Sequence, residues 1–160
     1  MKKVLTFLVV LTVALCTVSA MAQMPIPYGP PISLDVAKKA AQVALDTARK
    51  NNWKMAVAVV DPNGTLVYYE KMDNTQLASA RVAIDKAVSA AIYKRPTKEF
   101  QDGLAKGAEG WRLLRLRGAV PVDGGLPIVV DGKIIGGLGV SGDASSNDAI
   151  CTKAGVESLK

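Results

Sequence analysis

The chain contains no histidine. This absence excludes Ser-His-Asp and Cys-His nucleophilic machinery, histidine-based zinc sites and a histidine axial ligand to haem. Cysteine is nearly as scarce, with two residues, Cys16 and Cys151. Aromatic residues make up only 5% of the chain, so any apolar core must rely on aliphatic side chains and alanine. No Walker-type run of glycines ending in Lys and Ser or Thr is present, which removes the usual phosphate-binding loop.

What is present begins with a leader. Lys2 and Lys3 precede an apolar run from Val4 to about Cys16, and Ala20-Met21-Ala22 has the small-x-small pattern of a signal-peptidase site. We expect cleavage near Ala22 and a periplasmic or secreted product, with residues 1–22 as signal peptide. Leu15 before Cys16 does not suit a lipoprotein signal, and the apolar core is short for a membrane anchor. Without the leader 138 of the 160 residues remain, enough for one domain with one core. Cys151 is then the single cysteine, so no intramolecular disulfide can form and the thiol is either buried or reactive.

Losing Lys2 and Lys3 takes the 20 basic residues to 18 against 14 acidic ones, a net charge of +4. Lys94, Arg95, Lys98, Lys106, Arg112, Arg115 and Arg117 concentrate this charge. Such a section suits an anionic ligand, a membrane surface or a solvated helical face. An exported chain has no call on nucleic acid, and none is expected as partner.

Residues 23–32, with four prolines, read as an extended arm. Residues 33–160 form the domain. Ser33 is placed to cap a helix carrying Leu34, Ala37, Ala40, Ala41, Ala44, Leu45 and Ala48 on one face. A strand over Ala56–Val60, apolar on both faces and therefore central, turns at Pro62 to Gly64 into a second strand. An alanine-rich helix follows and stops at Pro96, and Thr97 is placed to cap a further helix weakened by Gly103, Gly107 and Gly110. A short strand near Gly118–Val122 is expected, then a hairpin of Pro127–Val130 and Lys133–Val140 about Asp131-Gly132, the dipeptide of a type I′ turn, and a closing helix from Asn147. The glycines inside the second strand of this hairpin, Gly136, Gly137 and Gly139, mark bulges or the close approach of another backbone or a flat ligand. The pattern is that of an α+β domain, a mainly antiparallel sheet with helices packed on it.

Chemistry without histidine falls to few groups. Tyr68, Tyr69 and Tyr93 are candidate phenolate ligands to ferric iron, Cys151 a candidate thiolate, and Met55 and Met72 either thioether ligands or core fillers. Of the aspartates, Asp61 and Asp131 lie in turns where they cap backbone amides. Lys86 sits on an otherwise apolar helix. Its ammonium must snorkel to solvent or find a carboxylate, a helix C-terminus or an anionic ligand.

Three blocks then carry a resemblance: VVDPNGTLVYYEKMD (Val59–Asp73), ASARVAIDKA (Ala78–Ala87) and GGLPIVVDGKIIGGLGVSG (Gly124–Gly142), the last followed by Asp148 and Ala154-Gly155. In order and spacing they resemble the GlcG/HbpS-like proteins over about Ile32 to Lys160. The resemblance implies a profilin- or PAS-like sandwich with a five-stranded antiparallel sheet between helices, assembled as a homo-oligomer. It implies an exported protein binding haem or a related tetrapyrrole or iron, which some members degrade or relay to membrane sensors. By motif position it implies Met72, Asp73, Ser79, Lys86, Gly124 and Gly125 on the ligand side; for a haem binder we expect Lys86 or the Arg112–Arg117 cluster to face the propionates. Where some members use a histidine on haem iron, this chain must use Tyr68, Tyr69, Tyr93, a methionine or Cys151. Two other functions stay open: an enzyme acting on a small organic molecule through Lys86 and Asp73, and a cofactor-free oligomeric partner of a membrane sensor or transporter.

Overall fold

The computed structural model describes residues 26–160; the leader, with Cys16 and the cleavage position, lies outside them. The elements run α1 (Leu34–Lys50), β1 (Ala56–Val60), β2 (Leu66–Lys71), α2 (Ser79–Tyr93), α3 (Thr97–Leu104), a 3-10 helix (Gly107–Arg115), β3 (Gly125–Val130), β4 (Lys133–Ser141) and α4 (Ser145–Glu157). The strands form one antiparallel sheet in the order β2-β1-β4-β3.

Four strands, not five, make this sheet. The segment Gly118–Val122 is irregular because its backbone donors go elsewhere: the Val120 amide donates to Ser89 Oγ at 3.0 Å, and Pro121 has none to give. The arm is extended, and the amide of Gly29 donates to Ile134 O while that of Ile134 donates to Pro27 O. It lies along the stretch of β4 that β1, ending opposite Gly137, leaves uncovered.

Local chemistry accounts for the ends of these elements. Ser33 Oγ accepts from the Val36 amide and caps α1. Asp61 Oδ1 accepts from the amides of Asn63 and Thr65 and so closes the first hairpin turn. Asp131 and Gly132 both have positive φ, 49° and 70°, as a type I′ turn demands. Thr97 does not cap α3 through its side chain; its hydroxyl is used on Gly125 instead.

Alternation along the strands divides the sheet into two faces. Val57 and Val59 of β1, with Leu138 and Val140 of β4, join Leu45, Met55, Ile128 and Cys151 in a core under α1 and α4. Ala56, Ala58 and Val60 meet Ala83, Ala87 and Ala91 of α2 on the other face. On that second face β4 presents Gly137, Gly139 and, opposite Ala56, Ser141. A Cβ on Gly139 would run into Ala83 O and the Ala87 backbone, and one on Gly137 into Ala87 O. The glycines therefore let α2 lie directly on the strand, and the alternation GGLGV carries bulk on one side and bare backbone on the other.

Candidate functional site

Strand register collects the residues of interest at one end of the sheet. Ala56 pairs with Lys71 on one side and Ser141 on the other, and Gly125 pairs with Gly139. The end of β2, the start of β1, the end of β4 and the start of β3 therefore meet here, with Met72-Asp73 following β2 and Gly124 preceding β3.

Within this end lies a closed polar knot. Lys86, 1% exposed, donates from Nζ to Asp148 Oδ2 at 2.7 Å and to Val140 O at 3.2 Å. The lysine is thus fully buried and ion-paired; it does not snorkel. Asp148 sits in the first turn of α4, and its other oxygen accepts from the Asp143 amide at 3.2 Å. Burial raises the Asp148 carboxyl above its ordinary range; the hydrogen bond and charge of Lys86, and the amides of Asp143 and Gly142, pull in the opposite direction.

Gly124 and Gly125 wall this pair. Gly124 has φ +114, and a Cβ there would come within 2.7 Å of Asp148 Cβ and 2.9 Å of Lys86 Nζ. Its carbonyl accepts from the Val140 amide and from Thr152 Oγ1, and the Gly125 amide donates to Thr97 Oγ1 at 2.9 Å. Five elements, α2, α3, β3, β4 and α4, are tied through these few atoms. Ser79, at the start of α2, is fully buried, and among the described residues its Oγ has no hydrogen-bond partner.

Met72 and Asp73 stand outside the knot, in a groove of about 340 Å³ lined also by Arg49, Lys54, Glu70 and Lys71. Arg49 reaches Asp46 at 2.8 Å and Glu70 at 3.4 Å, whereas Lys54 makes no ion pair among the described residues. A second groove, of about 480 Å³, lies at the opposite end of the sheet between the arm and the β3–β4 turn. Lys86 and Asp73 do not share a cavity, since only Asp73 lines the first groove.

The four candidate iron ligands do not converge. Tyr68 packs toward α1 and donates to Glu70 Oε2 at 2.6 Å; that bond, with burial, raises its pKa. Tyr69 faces the opposite side, and burial raises it too. Tyr93 donates to Arg117 O at 2.7 Å and stacks edge-on against Phe100. Cys151 is buried in the core, its thiol pushed up to about 11 by burial and by the nearby Asp148 and Asp143 charges. Such a thiol is protonated at neutral pH and inert.

Asp148, Thr97 and Thr152 are missing from the candidate residues drawn from sequence. A buried lysine requires a carboxylate, but ten aspartates and four glutamates compete for the role. The helpful signal is that Asp148 and Thr152 lie four apart, on one face of a helix.

Residues 32–157 match a family model described as haem degrading protein HbpS-like. The chain belongs to the HbpS-like family. GlcG of Escherichia coli K12 is 34% identical over 110 residues, covering 69% of this chain and 81% of GlcG. Among solved structures, a double mutant of HbpS from Streptomyces reticuli is 30% identical with a TM-score of 0.75, covering 82% of this chain and 89% of that one. PduOC in complex with haem is 28% identical with a TM-score of 0.75, covering 81% and 96%.

The donor set can be weighed against haem directly. The Tyr68 and Tyr93 hydroxyls are engaged with Glu70 and Arg117 O, Tyr69 lies on the opposite face of the sheet, and the Cys151 thiol is enclosed. Met72 remains: it lines the groove with its Sδ accepting from the Met55 amide at 3.5 Å, and Arg49, Lys54 and Lys71 stand there beside the carboxylates Glu70 and Asp73. Lys54 and Lys71 would meet the propionates of a tetrapyrrole, and Met72, once freed from the Met55 amide, would offer a soft donor to its iron in place of imidazole.

Proposed function

We propose that this HbpS-like protein is an exported binder of haem or a related tetrapyrrole, on a profilin- or PAS-like frame that assembles as a homo-oligomer. The observation that carries the proposal is the likeness, over most of both chains, to PduOC solved with haem. In this proposal the groove at Met72 receives the ligand: Met72 would supply a thioether to the iron, and Arg49, Lys54 and Lys71 would meet the propionates. Lys86 takes no part in holding propionates, because its ammonium is committed to Asp148. Its part is to keep Gly124, Gly125 and the end of β4 in place behind the groove. Delivery to a membrane sensor or transporter would follow from export and assembly.

Titration with haemin tests this. A Soret band that saturates with the unaltered protein, and that shifts or is lost in Met72→Ala but not in Cys151→Ser, is the expected result. No band in the unaltered protein overturns the proposal, and a band lost instead in a tyrosine variant reassigns the ligand. Sequencing the amino terminus of protein taken from its native compartment tests export; a chain beginning near Gln23 is expected, and one retaining residues 1–22 overturns it.

A further inference from the structure

The 3-10 helix Gly107–Arg115 lies on α3, away from the groove and the buried knot. With three residues per turn, side chains three apart eclipse one another, so this helix presents three ridges rather than an α-helical spiral. Gly107, Gly110 and Leu113 form the inner ridge: Gly110 is buried, a Cβ on it would strike Gly103 O, and Leu113 Cδ1 lies where a Gly103 side chain would be. Ala108, Trp111 and Leu114 form a second ridge, and it is bare, with Trp111 64% and Leu114 65% exposed. Glu109, Arg112 and Arg115 form the third, also exposed. Leu116, 40% exposed, and Arg117 continue the segment, and the Tyr93 hydroxyl holds Arg117 O.

From this geometry we infer that the Gly107–Arg117 segment is a docking surface for an anionic lipid bilayer. A tryptophan and leucines beside a ridge of arginines are the composition of a peripheral membrane element, whose apolar side chains enter the headgroup boundary while its cations meet anionic lipid. Lys106, Arg112, Arg115 and Arg117 face a single carboxylate, Glu109, so the charge is complementary to such a surface. A protein partner fits less well. One short helix with a single tryptophan offers far less than the roughly 800 Å² per partner of a stable interface, whereas a bilayer sets no minimum area.

Trp111 is its own reporter, because the only other tryptophan is Trp53 and the leader has none. In the Trp53→Phe protein, vesicles rich in phosphatidylglycerol should shift the emission of Trp111 to the blue, and brominated lipid should quench it. Vesicles of phosphatidylcholine alone should do neither. Arg112→Gln with Arg115→Gln should weaken partition about tenfold or more, as added salt does; Leu114→Ser should weaken it at every salt concentration. If Trp53→Phe does not fold, the difference between the unaltered protein and Trp111→Phe gives the same signal. No shift with anionic vesicles, or an equal shift with neutral ones, overturns the inference. So does emission already blue without lipid and reverting on dilution, which means a second copy covers the ridge.

Discussion

The two faces of the sheet are built on opposite principles. Under α1 and α4 the contact is made by side-chain volume: Leu45, Met55, Val57, Val59, Leu138 and Val140 interdigitate. Under α2 it is made by the removal of side chains. Alanines on the helix meet Ala56, Ala58 and Val60 on β1 and glycines on β4, and the largest buried side chain of α2, Lys86, is spent on an ion pair. A face filled with aliphatic chains can repack. A face in which backbone touches backbone has no slack, and a buried charge pair adds a second rigid demand. The HbpS-like fold therefore has one tolerant face and one unforgiving one, and Met72 of the proposed site packs on the tolerant one.

The largest test removes one charge from the knot. Lys86→Met leaves the Asp148 carboxylate buried without a counter-charge, and we expect a loss of about 3–5 kcal/mol in denaturant unfolding. Asp148→Asn added to it should restore most of that, because no charge is then left buried. If the double variant is no better than the single one, the pair is not the source of rigidity and the comparison fails there.

A smaller pair of changes compares the faces directly. Gly139→Ala adds one methyl group where Ala83 O and the Ala87 backbone already stand, and it should cost about 3 kcal/mol by pushing α2 off the strand. Leu45→Met, which conserves volume in the other core, should cost less than about 1.5 kcal/mol. Equal losses would mean that the two faces differ in composition but not in tolerance.

Much of this architecture is legible in the chain because its signals are local. Asp131-Gly132 requires a tight turn, Ser33 stands before an alanine face, and Ala56–Val60 is too apolar for an edge. The expected strand at Gly118–Val122 fails for a reason that is not local: Ser89 Oγ and Gln101 Oε1, far away in sequence, take the amides of Val120 and Asp123. The site divides in the same way. Met72, Asp73, Lys86, Gly124 and Gly125 stand within quotable motifs, but the carboxylate that closes on Lys86 is 62 residues further along, and only the packing of α4 across β3 and β4 selects it. The exposed Trp111 ridge is hidden for another reason. Which of the three ridges of the 3-10 helix turns inward is set by the packing of Gly110 and Leu113 on Gly103, and no local pattern announces that contact.

The smallest effect concerns pH, and its sign separates the knot from the surface. Burial raises Asp148 in the folded protein, so there the group binds its proton more tightly than in the unfolded chain. Its contribution to stability is full below the unfolded carboxylate pKa, about 4, and is lost as pH rises through the folded value. Asp46, exposed and lowered by hydrogen bonds from Gln42 and Arg49, acts in the opposite sense: its contribution is present above the unfolded value and is lost as pH falls through the folded one. Stability measured from acid to neutral pH should therefore climb more steeply in the Lys86→Met, Asp148→Asn double variant than in the unaltered protein, because the one carboxylate opposing the climb is gone. Parallel curves would show that Lys86 offsets the burial of Asp148 completely, and the knot would then differ from the surface pairs only in its packing.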